Sequence, residues 1–245
     1  MKDLYEKLAN DYDEFGPIDQ YLGDEQTFFK NLFAENKVKD VLDCACGTGQ
    51  HILMLSRLGY HLSGSDYSES MLEAARKNLT ARNLTFPLYQ CDFRYLERVF
   101  DRQFDAVICL TNSLPHLHKD EDLITALKSM RNRLKDNGLL VLTSGTTHYT
   151  LTLPSIEVVV NRPDFSRIFV KKHSKKYQTI NIVDLFHTDQ RNDSHQYQIV
   201  YRILLDEDYR KLLSLSGFSE IRIFGDYQMN PYNRESRRLI VVARK

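Results

Sequence analysis

The chain has 245 residues, 42% of them hydrophobic and 27% charged, which is enough to bury the core of one large domain. Lysine and arginine total 33, as do aspartate and glutamate, so the net charge is zero and bulk electrostatics exclude a strongly basic nucleic-acid binder. No apolar run approaches the roughly 18 residues of a transmembrane helix, and the polar start MKDLYEKLANDYDEF is not typical of a signal peptide.

Short apolar strands and helices alternate through the first half of the chain. The helices show apolar residues three and four positions apart, and the strands are rich in β-branched residues. Alternation of this kind predicts a doubly wound, mostly parallel sheet whose ligand site lies at the carboxyl ends of the strands. In chain order the predicted elements are strand 38–44, helix 50–59, strand 60–65, helix 69–83, strand 84–91, strand 104–110, helix 121–134 and a strand from 139.

The pattern changes after this fifth strand. From about Pro154 to Leu205 the helical periodicity is lost and β-rich segments alternate with polar turns, which predicts antiparallel strands. A helix at 207–215 and strands at 218–224 and 237–243 complete the chain. We therefore predict an α/β core that carries an antiparallel β insertion after strand five, not a second independent domain.

The stretch VLDCACGTGQH places two glycines between the first strand and its helix. Such a loop lets a ligand approach backbone N–H groups at the helix N-terminus. The dinucleotide fingerprint G-x-G-x-x-G fails, because Ile52 occupies its third position. Acids end the first three strands: Asp43, Asp66 and Asp92. Acids at these places suit a cofactor with an adenosine and a cationic, amine-bearing tail better than a pyrophosphate, and S-adenosylmethionine fits that description.

The four cysteines lie in apolar, strand-like stretches. Cys44, Cys46, Cys91 and Cys109 are therefore expected to be reduced thiols of a cytoplasmic protein, not a disulfide framework. A metal site near Cys44 and Cys46 needs two further ligands at close spacing, and the nearest candidate, His51, has no partner. We predict no metal and interpret the cysteines as buried packing residues.

The motifs VLDCACGTG, SGSDYS, QCDF and FDAVICLTNSLPHL resemble the successive motifs of class I S-adenosylmethionine-dependent methyltransferases, over nearly the whole chain. FDAVICLTNSLPHL is most similar to glycine N-methyltransferase and the glycine/sarcosine methyltransferases, and both chain ends are similar to these and to amino-sugar N,N-dimethyltransferases. The resemblance implies a seven-stranded Rossmann-like sheet, direct methyl transfer and S-adenosylhomocysteine as product. The implied single domain, 1–245, divides into an N-terminal helical lid at 1–35, a core at 36–150 and 206–245, and the insertion at 151–205.

The resemblance also implies which residues contact the cofactor. Asp66 matches the acid that binds the ribose, and Asp92 with Phe93 matches the adenine edge. The alternatives are that Asp66 only complements a helix dipole and that Asp92 is only a helix cap. The full expected set is Tyr12, Asp43, Ala45, Gly47, Gly49, Asp66, Tyr67, Met71, Asp92, Phe93 and Leu110.

On the acceptor side, Tyr21 and Asn112 match substrate-side residues of glycine N-methyltransferase, and His116 is a candidate base or a surface histidine. These three are the expected catalytic residues. Tyr227 is a further candidate for substrate binding. Glycine N-methyltransferase holds its substrate carboxylate with an arginine just after the fifth strand, where this chain has Gly145. Glycine is therefore in doubt as the acceptor, and candidates for a substitute cation are Arg202, Arg167 and Lys171.

We expect methyl transfer to a small molecule, most simply to the nitrogen of a glycine-like or sarcosine-like amine or an amino sugar. The sulfonium is already activated, so the enzyme aligns the nucleophile and excludes water. An amine attacks in its neutral form, so no single base is assigned. The N-terminal segment, through Tyr5, Tyr12 and Tyr21, is predicted to form the lid.

Other functions stay open at this point. Within the same class the acceptor is alternatively a hydroxyl or carboxylate of another metabolite, and a non-catalytic S-adenosylmethionine-binding protein is a further alternative. An RNA methyltransferase is disfavoured, because an N-P-P-Y-type tetrapeptide after strand four is absent and Thr111-Asn112-Ser113-Leu114 stands there. The basic run 171–176 is interpreted as a solvated hairpin tip. Neither a nucleic acid nor a membrane is expected as a partner, and a homo-oligomer is compatible with the sequence.

Overall fold

The computed structural model describes residues 2–9, 11–15 and 23–245. The N-terminal segment holds a short helix, a 3₁₀ turn at Tyr12–Phe15 and a second helix. Among the helices described, none is long and apolar enough to cross a membrane. The helices are α1 (Lys2–Leu8), α2 (Asp24–Glu35), α3 (Gln50–Ser56), α4 (Glu69–Thr80), α5 (Asp120–Asn132) and α6 (Asp206–Leu215).

Seven strands form the central sheet, in the order β10-β11-β5-β4-β1-β2-β3. β5, β4, β1, β2 and β3 run parallel, whereas β11 is antiparallel to both of its neighbours, β5 and β10. Only β11 therefore opposes the rest, which confirms the predicted mostly parallel, doubly wound sheet. These strands are β1 (Asp40–Asp43), β2 (His61–Asp66), β3 (Leu88–Gln90), β4 (Phe104–Cys109), β5 (Leu134–Ser144), β10 (Ser219–Phe224) and β11 (Leu239–Arg244).

The insertion is a separate four-stranded sheet that follows β5. Its strands lie in sequence order, and each pair is antiparallel, as predicted. They are joined by tight polar turns, and the last two strands, each of 12 residues, pair along their whole length. The strands are β6 (Ile156–Asn161), β7 (Phe165–His173), β8 (Tyr177–Thr188) and β9 (Arg191–Arg202).

Two apolar clusters cover the two faces of the central sheet. β4 is buried along almost its whole length, as expected for a strand with helices on both sides. One cluster includes side chains of α5 and α6, such as Leu127 and Leu213, and the other includes Phe29 of α2 and Leu53 of α3. All four cysteines are free and buried.

A reciprocal size match fixes α3 against β2. A Cβ atom on Gly64 would lie 2.5 Å from Cδ1 of Ile52 and 2.7 Å from Cδ2 of Leu88. Ile52 is the residue that breaks the dinucleotide fingerprint, whose third glycine serves close helix–strand packing. Here the large residue is on the helix and the small one is on the strand, so close packing is kept.

The starts of two strands differ most from the prediction. β5 was expected from residue 139 but begins at Leu134, before Asn137 and Gly138. Leu134 already pairs with β4, and after an irregularity the pairing resumes at Leu139. The third strand is shorter than predicted and starts at Leu88. The preceding Pro87 has no N–H group to donate to a strand ladder.

The N-terminal segment is fastened to the insertion sheet through Asp11. Its carboxylate accepts hydrogen bonds from Nδ1 of His195 at 2.7 Å and from the hydroxyl of Tyr197 at 2.8 Å. Its main-chain oxygen accepts a bond from Arg167 at 2.8 Å. Arg167 in turn makes a two-bond pair with Asp184, at 2.6 and 2.5 Å, and both side chains are fully buried. This network places the N-terminal segment beside the insertion sheet.

Candidate functional site

Two adjoining cavities open at the carboxyl ends of the parallel strands. The loop cavity lies against the glycine loop and is lined by residues 44–48 with Asp66 and Leu110. The insertion cavity lies between the strand ends and the insertion sheet and is lined by Asn112 and Ile182 among others. The two cavities share the lining residues Tyr5, Tyr12, Gln50, His51 and Thr111.

The glycine loop has the backbone of a ligand cradle. Gly47 has φ +52°, a region that favours glycine, and no atom lies within 4 Å of the position that a Cβ would take there. Gly49 precedes α3 with φ +88°, and a Cβ on it would lie 3.3 Å from Cβ of Ala75. The open side of Gly47 therefore faces the loop cavity, and Gly49 lets the loop pass close to α4.

Asp66 ends β2 at the wall of the loop cavity. One carboxylate oxygen accepts a hydrogen bond from the N–H of Gly47 and the other from the N–H of Ser68, both at 2.9 Å. Burial raises the pKa of this carboxyl, and the backbone donors oppose that rise. Each carboxylate oxygen has further lone pairs, so Asp66 can accept hydrogen bonds from two vicinal hydroxyls as well.

Asp43 lies behind the loop and does not line the cavity. One of its oxygens accepts a hydrogen bond from the N–H of Ala45 at 3.2 Å. Its other oxygen, Oδ2, is buried and has no hydrogen-bond partner among the described residues. Burial raises the pKa of Asp43 to about 6, although His51 and the Ala45 N–H act in the opposite direction. This carboxyl can therefore take up a proton or serve a polar group that reaches the loop.

The structure brings most of the expected cofactor residues to the loop cavity: Tyr12, Ala45, Gly47, Asp66, Tyr67, Met71, Phe93 and Leu110. Gly49 acts through the backbone of α3 and does not line the cavity. Asp92 is also absent from the cavity wall and lies in a neighbouring depression with Tyr67. Its carboxylate caps the next 3₁₀ helix and is held by the guanidinium of Arg94 at 2.6 to 3.1 Å. These contacts are those of a helix cap, which was the alternative interpretation of Asp92. Arg94 was not considered from the sequence.

Asn112 lies on a strained loop that leads from β4. Thr111 and Asn112 have φ of +56° and +63°, and a β-branched residue such as threonine rarely adopts such values. The end of β5 holds this loop, since N–H groups of both residues donate to Thr143. Oδ1 of Asn112 accepts bonds from Ser144 Oγ at 2.9 Å and from the N–H of Gly145 at 2.8 Å. These bonds orient the side chain and leave its NH₂ group available to the insertion cavity.

His116 reaches the loop cavity from the turn after β4. Its Nε2 atom lies 2.7 Å from the hydroxyl of Tyr5, and its ring packs against that of Tyr201 at 4.8 Å between centroids. Burial, followed by the charge of His118, lowers the pKa of His116 to about 4. His116 is therefore neutral at pH 7, and its Nε2 shares a hydrogen bond with the Tyr5 hydroxyl.

A polar cluster lines the far side of the insertion cavity. The hydroxyl of Tyr227 donates to Glu25 Oε1 at 2.7 Å, and Nε2 of His51 lies 3.4 Å from the same oxygen. Burial alone would lower the pKa of His51, but Glu25 and Asp43 raise it above its usual range. The guanidinium of Arg238 lies 5.3 Å from the centre of the Tyr227 ring. Tyr227, a candidate for substrate binding from the sequence, thus lines the insertion cavity, whereas sequence reasoning missed Glu25 and Arg238 and considered His51 only as a metal ligand.

The three cations considered from the sequence as partners of a substrate carboxylate do not line either cavity. Arg202 forms an ion pair with Asp120 and donates to the main-chain oxygen of His118 at 3.3 Å, so its charge is used outside both cavities. Arg167 is buried in its pair with Asp184, and Lys171 pairs with Glu157. The structure therefore does not bring Arg202 to the substrate side. Tyr21, the other expected acceptor residue, lies outside the described residues.

The N-terminal 3₁₀ turn is tied to the glycine loop. Oδ1 of Asp13 accepts a hydrogen bond from Thr48 Oγ1 at 2.6 Å, and Oδ2 accepts one from Asn78 at 2.8 Å. Asn78 also donates to the main-chain oxygen of Thr48 at 3.1 Å. Tyr12, the neighbour of Asp13, is thereby held at the junction of the two cavities, where burial raises the pKa of its hydroxyl.

Comparison with known proteins identifies relatives of the whole arrangement. A family described as a methyltransferase domain matches residues 41–138. The glycine/sarcosine N-methyltransferase of Parasynechococcus marenigrum is 34% identical over 212 residues, covering 83% of this chain and 71% of the relative. The glycine/sarcosine N-methyltransferase of Aphanothece halophytica is 32% identical over 230 residues, covering 90% of this chain and 82% of the relative.

Solved structures share the fold at low sequence identity. An S-adenosylmethionine-dependent methyltransferase from Clostridium acetobutylicum superposes with a TM-score of 0.82 at 20% identity, over 98% of both chains. A sugar N-methyltransferase from Streptoalloteichus superposes with a TM-score of 0.72 at 22% identity, over 92% of this chain and 88% of the other. At such identities these neighbours show the common fold.

Proposed function

Because this chain belongs to the S-adenosylmethionine-dependent methyltransferases, in the group that contains the glycine/sarcosine N-methyltransferases, we propose that it methylates the nitrogen of a small amine bound in the insertion cavity. The observation that supports this most is the junction of the two cavities. One has a glycine cradle and a ribose-type acid, and the other presents an oriented amide on Asn112. The shared residues Tyr12 and Thr111 lie where the methyl group would pass.

The loop cavity suits S-adenosylmethionine. We assign the ribose hydroxyls to Asp66, since its oxygens keep lone pairs beyond those used by Gly47 and Ser68. The open face of Gly47 allows the ligand to approach the backbone. Met71 and Phe93 supply apolar surface for the adenine ring. The bound cofactor supplies a methyl group on a cationic sulfur.

The acceptor side favours an amine over an alcohol. A hydroxyl acceptor needs a strong base, and burial leaves His116 with a pKa of about 4. Tyr5 and Tyr12 remain protonated because burial raises the pKa of both phenols. An amine attacks through its own lone pair, so the protein needs only to orient it and exclude water. In this proposal His116 positions Tyr5, and Asn112 orients the acceptor.

Calorimetry of the wild type with S-adenosylhomocysteine tests the cofactor assignment. Asp66→Ala removes the acceptor of two hydrogen bonds to a charged group, each worth about 1.5–3 kcal/mol, so Kd should rise by at least about 100-fold. Asp101→Ala, at an exposed acid, is the matched control and should bind like the wild type. Absence of binding by the wild type would contradict the assignment.

The acceptor class is tested by measuring S-adenosylhomocysteine release across a panel. The panel contains glycine, sarcosine, dimethylglycine, larger amino acids, amino sugars, and alcohols and carboxylic acids without an amine. We expect turnover with at least one amine and none with the amine-free compounds. Turnover confined to alcohols or carboxylic acids would refute N-methylation while leaving the cofactor assignment intact.

We also propose a reducing compartment, the cytoplasm, for this protein. The support is that all four cysteines are buried free thiols. Thiol titration of the denatured protein purified without reductant should give all four thiols per chain, whereas a disulfide would argue against this location.

A further inference from the structure

The insertion cavity has two chemically different walls. The insertion sheet supplies an apolar wall through Phe169, Ile180, Ile182 and Ile199. Ile180 and Ile182 are two positions apart on β8 and therefore point to the same face, and strand pairing sets Ile180 opposite Ile199 and Ile182 opposite Phe169. Leu8 of α1 also lines this cavity. The wall is continuous, so an apolar group of the ligand would be covered on one whole side.

The opposite wall carries a cation, Arg238, at the end of the central sheet. Strand pairing sets Leu239 opposite Ser144, so Arg238 lies beside Gly145, the residue that follows β5. Both Arg238 and Gly145 line the insertion cavity. A Cβ on Gly145 would have only Nδ2 of Asn112 within 4 Å, at 3.5 Å, so the cavity is open beside Gly145.

The guanidinium of Arg238 makes no direct ion pair in the cavity, although its charge helps to lower the pKa of Glu25, which lines the same cavity. The guanidinium packs over the ring of Tyr227 at 5.3 Å, and no carboxylate forms an ion pair with it within residues 2–9, 11–15 and 23–245. The nearby acid, Glu25, already accepts the Tyr227 hydroxyl at 2.7 Å and has His51 at 3.4 Å. A guanidinium facing an open cavity binds a planar carboxylate through two parallel hydrogen bonds.

We propose that the acceptor is an amino acid with an apolar side chain, whose carboxylate is held by Arg238 and whose side chain packs on the apolar wall of the insertion sheet. This proposal rests on the proposed N-methyltransferase function and specifies its substrate class. The cavity volume of about 310 Å³ is at the lower end of the range for small-molecule pockets and exceeds the need of glycine alone. The amine lies between these two contacts and so faces Asn112 and the cavity junction.

The first test compares acceptors on the wild type. kcat/KM is measured for glycine, L-alanine, L-2-aminobutyrate and L-leucine at saturating S-adenosylmethionine. Each buried methylene is worth about 0.8 kcal/mol, so kcat/KM should rise about three- to fourfold per carbon. L-leucinamide, which lacks the carboxylate, should be about 10- to 100-fold poorer than L-leucine. A decrease from glycine to leucine would overturn the apolar part of the proposal.

The second test uses Arg238→Ala. KM for L-leucine should rise about 10- to 100-fold, KM for L-leucinamide should stay within about twofold, and Arg238→Lys should recover part of the loss. Arg237→Ala is the matched control, because Arg237 is adjacent in sequence but donates to the hydroxyl of Tyr149 at 3.2 Å and is not part of the cavity wall. An equal loss for the acid and the amide would overturn the proposal.

Binding of S-adenosylhomocysteine separates this proposal from the function on which it rests. Arg238→Ala should bind S-adenosylhomocysteine like the wild type. A tenfold weaker binding would assign Arg238 to the cofactor carboxylate and overturn the substrate proposal. If the wild type binds S-adenosylhomocysteine and turns over an amino sugar without a carboxylate but none of the amino acids, the proposal fails and N-methylation stands. If the wild type does not bind S-adenosylhomocysteine, the cofactor assignment itself fails.

Discussion

Replacing His116 by glutamine measures what burial of this histidine contributes to stability. The pKa of His116 falls from 6.5 to about 4 in the folded chain, first because of burial and then because of the charge of His118. Its Nε2 shares a hydrogen bond with the hydroxyl of Tyr5, 2.7 Å away. A glutamine side chain can donate or accept a hydrogen bond but does not titrate, so the substitution removes the ionisation and keeps a partner for Tyr5.

The sign of the effect follows from proton binding. Between pH 6.5 and about 4 the unfolded chain binds a proton at residue 116 that the folded chain does not, so His116 makes stability rise with pH in this window. One pKa unit corresponds to about 1.4 kcal/mol, which gives a penalty of about 2 kcal/mol at pH 5 and about 3 kcal/mol below pH 4. At pH 7.5 the penalty vanishes.

Urea unfolding at pH 7.5 and pH 5.0 checks this value. Asp43, with a pKa raised to about 6, makes stability fall with pH between about 4 and 6, so the wild type alone can show a nearly flat profile. The informative quantity is therefore the difference between His116→Gln and wild type, which should move by about 2 kcal/mol in favour of the variant at pH 5.0. His173→Gln, at an exposed histidine on the insertion sheet that does not contribute to the pKa shift of His116, is the control. A movement of less than about 0.5 kcal/mol would refute the assigned burial effect.

Two further predictions concern packing. Arg167→Ala leaves Asp184 as a buried unpaired charge and should lower the free energy of unfolding by about 3–5 kcal/mol, whereas Arg167→Met combined with Asp184→Leu should recover most of it in thermal and urea unfolding. An equal loss in the double variant would contradict the buried-charge explanation. Gly64→Ala forces a methyl group against Ile52 and should cost about 1–3 kcal/mol in urea unfolding, with partial recovery when Ile52→Val is added. Additive losses in that pair would show that the contact with Ile52 is not the cause.

The sequence predicted the part of the site that is contiguous in the chain. Strand, glycine loop, helix and the acid of the next strand lie between Val41 and Asp66, and parallel pairing of β1 with β2 brings the strand ends together. Local spacing therefore indicates both the geometry of the loop and the place of Asp66. The family, the fold and the cofactor that followed from these motifs are confirmed.

A motif does not show how its charged residues pair with residues outside it. Asp92 has the position of an adenine-edge residue, yet Arg94, two positions later, takes its carboxylate. Arg202 lies on a strand whose alternate residues face opposite sides, and its side chain turns to Asp120. In both cases a residue outside the motif forms the ion pair and so sets the direction of the charged side chain. The motif alone does not identify that residue.

The insertion cavity could not be predicted, because it joins segments that are far apart in the chain. Its polar wall combines Glu25 of α2, His51 of α3, Tyr227 and Arg238. Each residue alone is an ordinary surface residue type, and no spacing links them. Only the packing of α2 on the sheet and the placement of β11 beside β5 bring them together.

The pair Arg237-Arg238 shows why the cation that we propose for the acceptor lies beside the central sheet and not in the insertion. The two arginines immediately precede β11, and of the two only Arg238 lines the cavity. Pairing of Leu239 with Ser144 decides the choice: Arg238 lies beside Gly145, and Arg237 donates to Tyr149. The register of β11 on β5, a long-range property, therefore sets which of the two arginines lies beside Gly145 at the cavity.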